Sequence, residues 1–279
     1  MKTLKPLLFL CVALCFATSC KKNVDMTLVQ KTVLENANIR QITASDAWEV
    51  SVVADSSTFV ELEYSAYLEN KVNVKMQGTR LEIGFLGSTY PVLNSVFRAI
   101  VHTNTIENIK VEEDAQVSFA GHFSATSDTL FVELDDASVC TGLDYSGHNC
   151  KIAINDASQF LDFQLSGYNC EVKVSEASTC KGNFDMSFHL VADLSGASQL
   201  ITFGGIVPNG MVKLQETSVL NVVQTEIREM FVDLSGGSEA TVNVTESLSG
   251  SMVTASTLYY KGHPQINVDC SDDSRLIPL

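Results

Sequence analysis

The chain has 279 residues and carries 33 Asp and Glu against 18 Lys and Arg, a formal net charge of −15. So acidic a balance excludes nucleic acid as the expected partner and suits a soluble, self-repelling surface.

Residues 1–19 read as an export signal, a lipoprotein signal peptide. Lys2 and Lys5 form its basic start, and Leu7 to Ala17 is an apolar run of eleven, too short for a membrane span. The run ends at Ala17-Thr18-Ser19-Cys20, which resembles a bacterial lipobox. That resemblance implies cleavage before Cys20 and lipid on its sulfur and new amine. The other reading is an ordinary signal cut near Ser19 that leaves Cys20 free. Residues 20–37 then form a lipidated tether, opening with Lys21-Lys22-Asn23. Loss of Lys2 and Lys5 leaves 16 basic residues against 33 acidic ones, a net of −17. No second run of eighteen apolar residues follows, so the N-terminal lipid is the expected membrane contact. The expected location is the envelope, as an exported outer-membrane lipoprotein facing either the periplasm or the cell surface.

Residues 38–127 are strand-like without a clean period. Trp48-Glu-Val50-Ser-Val52, Phe59-Val-Glu-Leu62-Glu-Tyr64, Val72-Asn-Val74, Arg80-Leu-Glu-Ile83, Val96 to Val101 and Ile106 to Val111 are separated by polar or glycine breaks. They fit irregular coils that cap a solenoid, or a separate β domain. An open terminal coil exposes unpaired backbone and core, so a cap is a physical need.

Residues 128–279 repeat. Leu134-Asp-Asp-Ala-Ser138, Ile154-Asn-Asp-Ala-Ser158, Val174-Ser-Glu-Ala-Ser178, Leu194-Ser-Gly-Ala-Ser198, Leu214-Gln-Glu-Thr-Ser218 and Leu234-Ser-Gly-Gly-Ser238 follow at steps of twenty. Shorter steps lead to Ser256 and Ser274. A fixed period of this size marks a solenoid. The segment before each serine alternates, as in Cys150-Lys-Ile152-Ala-Ile154, which is a strand with one buried face. A second apolar run follows each serine, and a second set of turn residues falls half a period on. The expectation is a flattened coil of two strands and two turns, with the serines as a structural turn ladder. Leu134, Ile154, Val174, Leu194, Leu214 and Leu234 form one inward column, and Cys140, Phe160, Cys180, Leu200, Leu220 and Ala240 another. A leucine-rich repeat lacks support without a helical side, and hexapeptide coils hold eighteen residues rather than twenty.

Cys150 and Cys170 fall one coil apart in one column, about 4.8 Å at strand spacing and inside disulfide range. Cys140 and Cys180 are two coils apart and cannot pair. The plain reading is that these cysteines act as small buried hydrophobes.

The acidic turn column is the candidate site. Asp136, Asp156 and Glu176 stack, with Asp135 and Asn155 beside them. They are weak candidates for a calcium site, since hard cations take carboxylate oxygens, but no Asp-x-Asp-x-Asp-Gly loop is present. Asp136 and Asp156 also suggest a carboxylate pair for a polysaccharide-active enzyme, where retaining enzymes need about 5–5.5 Å. The competing reading is a solvated turn edge. The five histidines lack zinc spacing, no Gly-x-Ser-x-Gly elbow occurs and no phosphate loop precedes a helix, so no cofactor and no catalytic residue is expected. Tyr145, Tyr168, Phe131, Phe231, Tyr259 and Tyr260 either point outward as candidates for a binding face or sit at corners, and the plain reading is that they simply cover the sheet.

The ordered series also resembles a known family. Ser195-Gly-Ala-Ser198, Ser235-Gly-Gly-Ser238, Trp48-Glu-Val-Ser-Val52 with Arg80-Leu-Glu-Ile-Gly84, and Tyr260-Lys-Gly-His-Pro264 before Asp272-Asp-Ser274 are similar to the putative auto-transporter adhesins with a head GIN domain, common in Bacteroidetes. The resemblance implies an all-β, pectin-lyase-like right-handed parallel β-helix, no assigned catalytic residues, and a role in cell adhesion. By the same analogy it implies a homo-oligomer, a trimer. The expected function is therefore a lipid-anchored, non-catalytic binding protein of the envelope, with a glycan or a cell-surface protein as ligand. The alternatives are the enzyme and a periplasmic structural or scaffold lipoprotein.

Overall fold

In the computed structural model the described residues are 24–89 and 91–279. Cys20 and the signal segment lie outside them. The described chain is a β-solenoid, and a single 3-10 turn, Ala66–Leu68, is the one helical element among these residues.

The regular coils have three sides rather than the two expected from the sequence. One coil runs through β12 (Val139–Thr141), β13 (Asp144–Ser146) and β14 (Asn149–Ile154) before its turn. Each strand pairs in parallel with its equivalent one coil on, Cys140 with Phe160, Tyr145 with Leu165 and Cys150 with Cys170. The second apolar run of each coil is thus bent into two short strands. In the coil of β15 (Gln159–Val174) the bends fall near Asp162, at a φ of 54°, and near Gly167, where the register with β16 (Thr179–Leu194) shifts. The middle side then fades. In β20 (Glu239–Met252) it has shrunk to Val244, and the next coil passes from β21 (Thr257–Lys261) to β22 (Gln265–Cys270) without it. That is where the two residues per coil are lost when the serine step shortens.

Both expected inward columns are inside. Leu134, Ile154, Val174, Leu194, Leu214 and Leu234 are buried, as are Cys140, Phe160, Cys180, Leu200, Leu220 and Ala240. Each fully buried large aliphatic contributes about 1.5–3 kcal/mol relative to exposure, so the columns hold successive coils in register along with the backbone ladder. Tyr145 departs from expectation: its ring is wholly buried in the middle side. Cys150 and Cys170 are in register, and all four core cysteines are free thiols. Burial pushes the thiols of Cys140, Cys170 and Cys180 far up, which suits inert hydrophobes. Among the described cysteines Cys270 alone is exposed.

The N-terminal part belongs to the same ladder. β2 (Gln41–Ala44) and β3 (Glu49–Ala54) form a coil, and so do β8 (Asn108–Val111) and β9 (Gln116–Ala120), which lead on to the regular stack. Between them the chain makes β4 (Phe59–Ser65), β5 (Val72–Gln77), β6 (Arg80–Phe85) and β7 (Phe97–Thr103). β6 and β7 lie in parallel on the outer side of β2 and β3, while β8 and β9 lie on the inner side. Beyond them β4, β5 and β1 (Leu28–Val33) pair antiparallel and cover the end of the stack. Trp48 is fully buried here, with Phe85 at 5.6 Å and Phe97 at 6.0 Å between ring centroids.

Candidate functional site

The turn ladder is longer than the serine series. Its first left-handed residue is Asp46, Glu113, Asp136, Asp156, Glu176, Gly196, Glu216, Gly236, Thr254 or Asp272 in successive coils, all with φ between 51° and 69°. In most coils the next residue is left-handed as well, which is why Asp and Gly recur: short polar side chains and glycine tolerate this region. The turns are stitched to one another by the backbone, Ala137 N–H donating to Asp156 O and Ala157 N–H to Glu176 O.

The serines close the turns from inside. Ser138, Ser158, Ser178, Ser198, Ser218 and Ser238 are buried. Ser138 Oγ donates to Val111 O at 2.9 Å and Ser198 Oγ to Val174 O at 2.8 Å, each reaching back one coil. Ser218 Oγ bonds instead within its own turn, to Gln215 O at 2.7 Å. The hydroxyls of Ser178 and Ser238 have no partner. In the first two coils the same position holds Trp48 and Ala115, so the serine pattern fails where the ladder continues.

The acids meet, but not as the expected trio. Carboxylate oxygens of Asp135, Asp136 and Asp156 lie within 4.8 Å of one another, and Glu176 is outside that group. Burial, then hydrogen bonding to Asp156, raises the carboxyl of Asp135. Hydrogen bonding to Glu176 raises Asp156, and burial with the charge of Asp46 raises Glu113. The row therefore behaves as crowded like charges on a turn edge, with Asp136 and Asp156 exposed. The nearby cation, Lys110, is held 2.6 Å from Glu112. The separation of Asp136 and Asp156 is close to that of a retaining glycosidase, but the acids line none of the grooves described next.

Two of those grooves lie on the capped end. One of about 550 Å³ runs over Glu49, Ser51, Glu63, Arg98 and Ile100, where Arg98 Nε is 2.6 Å from Glu49. One of about 510 Å³ runs over Arg80, Glu82, Asn108, Lys110 and Glu133. Most of their charged groups are already paired, Arg98 with Glu49 and Glu63 and Lys110 with Glu112 and Glu133, while Arg80 reaches only Gln41 Oε1, at 3.4 Å.

The long third side carries a grid of outward side chains. Its central row is Phe131, Lys151, Glu171, Val191, Met211, Phe231 and Ser249, in register coil by coil. One flanking row is Asn149, Asn169, His189, Asn209, Glu229 and Ser247, and the other includes Lys173, Asp193, Lys213, Asp233 and Ser251. Asn169 Nδ2 donates to Asn149 Oδ1 at 3.0 Å. Lys151 and Lys173 are both engaged by Glu171, at 3.8 and 3.2 Å. Next to the flank, at the corner, His148, Tyr168 and Phe188 stack face to face at 5.1 and 5.0 Å. Of the expected outward aromatics, Phe131, Tyr168 and Phe231 are exposed, and Tyr259 and Tyr260 are half-buried. Phe188 and Met211, each 44% exposed, were not singled out by sequence. Stepping by twenty from Phe131 and Phe231 finds Met211, and stepping from Tyr168 finds Phe188.

The family model described as "Putative auto-transporter adhesin, head GIN domain" matches residues 38–264. The chain belongs to this family. The matched head GIN region begins just before the β2–β3 coil and ends within the last coils, so the capping strands β4 and β5 are part of it and β1 precedes it. Solved structures share the fold. A putative adhesin from Parabacteroides merdae superposes with a TM-score of 0.65 at 14% identity, over 91% of this chain and 96% of that one. A putative adhesin from Parabacteroides distasonis gives 0.63 at 16%, over 91% and 98%. A putative lipid binding protein from the same species gives 0.63 at 12%, over 92% and 98%. No curated protein matches the chain.

Proposed function

We propose that this head GIN protein is a lipid-anchored, non-catalytic binding protein of the cell envelope, adhesin-like, attached to the membrane through Cys20. The observation that carries the reading is the uninterrupted third side, a rigid grid of outward side chains that repeats at every coil. A rod of this kind binds through many contacts along its length rather than in one enclosed cavity. Family membership adds support, and so does the name of adhesin given to relatives of the same fold. The ligand is a glycan or a cell-surface protein, and self-association, as a trimer, is a further mode. The acidic turn row has the spacing for catalysis, but it lines neither groove of the capped end, and the nearby Lys110 is held by Glu112.

Lipid labelling of Cys20 combined with protease treatment of intact cells tests the reading. The expected result is labelled protein degraded from outside, and no label in Cys20→Ala. Labelled protein protected until the envelope is broken overturns the adhesin and moves the protein to a periplasmic scaffold.

A further inference from the structure

The central row of the third side ends in a step. Phe231 has Met211 beside it in one coil and only Ser249 in the next, so the ring is covered on one side and open on the other. The corner stack differs: His148, Tyr168 and Phe188 lie within 4° and 7° of parallel, and the faces of the middle ring are used by its neighbours. Among the described residues no aromatic ring stacks on Phe231, which is 44% exposed. A shallow groove of about 370 Å³ opens at this step, with Phe231 and Met211 as its apolar floor, Phe188 and His189 as its wall on the corner side, and Asn209, Glu229, Ser247 and Ser249 around them.

We propose that the step is a binding site for a neutral glycan, with one sugar ring seated on Phe231 and the chain running along the solenoid axis. A pyranose presents an apolar C–H face inside a rim of hydroxyls. The groove presents the complement: an aromatic ring, bordered by an amide, a carboxylate and two hydroxyls that donate or accept as needed. This deepens the adhesin-like reading, rests on it, and gives it a ligand class.

Charge and area separate this occupant from others. The chain carries a net charge of −15, and Glu229 and Asp233 stand beside the ring with Lys213 next to Asp233, so the local balance is acidic and disfavours uronate-rich or sulfated glycans. A protein partner or a second copy needs about 800 Å² per side. The apolar strip of Val191, Met211 and Phe231 is one side chain wide between polar rows, narrower than the apolar centre of such an interface. A narrow amphipathic ligand fits the strip where a broad apolar one does not.

The test is saturation-transfer NMR and calorimetry on the full chain, with cellohexaose, mannohexaose, xylohexaose and laminarin as neutral probes and heparin and polygalacturonate as anionic ones. At least one neutral probe is expected to bind. Phe231→Ala should weaken it by about tenfold or more, Phe231→Trp should retain it, and Phe203→Ala, at an exposed ring that does not line the groove, should leave it unchanged. Circular dichroism of each exposed-site variant confirms the fold. Binding that is indifferent to Phe231→Ala, or confined to the anionic probes, overturns the proposal. So does a concentration-dependent dimer abolished by Phe231→Ala, which makes a second copy the occupant. If no probe binds and cells attach equally to surfaces coated with wild-type and Phe231→Ala protein, this site falls while the adhesin-like reading stands. If cells attach to neither, the adhesin-like reading itself is lost.

Discussion

The capped end and the regular coils use the same turn and the same parallel ladder, yet their sequences look unrelated. From Leu134 onward the chain advances one coil at a time, so equivalent residues recur at a fixed step. At the capped end the coil of β2 and β3 is followed by an excursion through β4 to β7 before β8 and β9 take the next place on the ladder. Spatial repetition persists because hydrogen bonding between coils demands it. Sequence repetition is lost because the chain leaves the stack and returns. The occupant of the turn position changes too. In the regular coils a serine hydroxyl closes the turn, whereas at the capped end an indole fills the space between coil and cap.

This contrast is open to direct attack. The largest effect is expected from Trp48→Ser, which rewrites the first turn as Asp-Ala-Ser and so makes it conform to the regular coils. The exchange should cost about 3–5 kcal/mol, read by denaturant unfolding, because it empties the space shared with Phe85 and Phe97. A stable Trp48→Ser protein removes the claim that the cap depends on that ring. Trp48→Phe should cost much less, since the indole N–H has no acceptor.

Gly205→Ala probes the regular coils instead. Gly205 has a φ of 115°, and a Cβ there meets the carbonyl oxygen of Phe184 in the coil below. A loss of about 2–4 kcal/mol is expected, measured by thermal unfolding. Near-neutral behaviour would show that the corner yields more easily than its geometry implies.

Smaller effects grade the serine ladder. Ser198→Ala deletes a buried bond to Val174 O and should cost about 1 kcal/mol, while Ser178→Ala, which deletes an unpartnered hydroxyl, should be neutral or stabilising. Equal costs at the two sites contradict the assignment of those bonds.

The smallest effect concerns pH. The carboxyls of Asp135, Asp156 and Glu113 are raised in the folded protein, so folding disfavours their ionised forms. Stability from this row is fully present below the ordinary carboxylate range and declines as pH rises through the raised values. Asp135→Asn should therefore raise the Tm slightly at pH 7 and lose its advantage in acid. An equal gain at both pH values points away from charge crowding.

The regular coils were legible because one buried column, Leu134 to Leu234, and one turn residue recur without gaps. The third side of each coil was not. Its bends at Asp162 and Gly167 interrupt apolar runs too briefly to separate one strand from two. The first two turns were hidden by substitution, as Trp48 and Ala115 replace the serine while Asp46 and Glu113 keep the left-handed backbone. In the acidic row, stacking of Asp136 and Asp156 was readable from the period, but the position of Asp135 among them depends on where each side chain leans. The burial of Tyr145, rather than an outward or corner position, was hidden for a related reason: alternation gives a face only when the bend before it is known.

The order in which the capped end is assembled has a kinetic consequence. β2 and β3 are synthesised early, yet one of their edges waits for β6 and β7 and the other for β8 and β9. The first edge stays open until residue 103 has emerged and the second until residue 120. Regular coils have no such delay, since each new one docks on the last and pairs with its immediate predecessor. Folding should therefore nucleate within the regular coils and close the N-terminal end last.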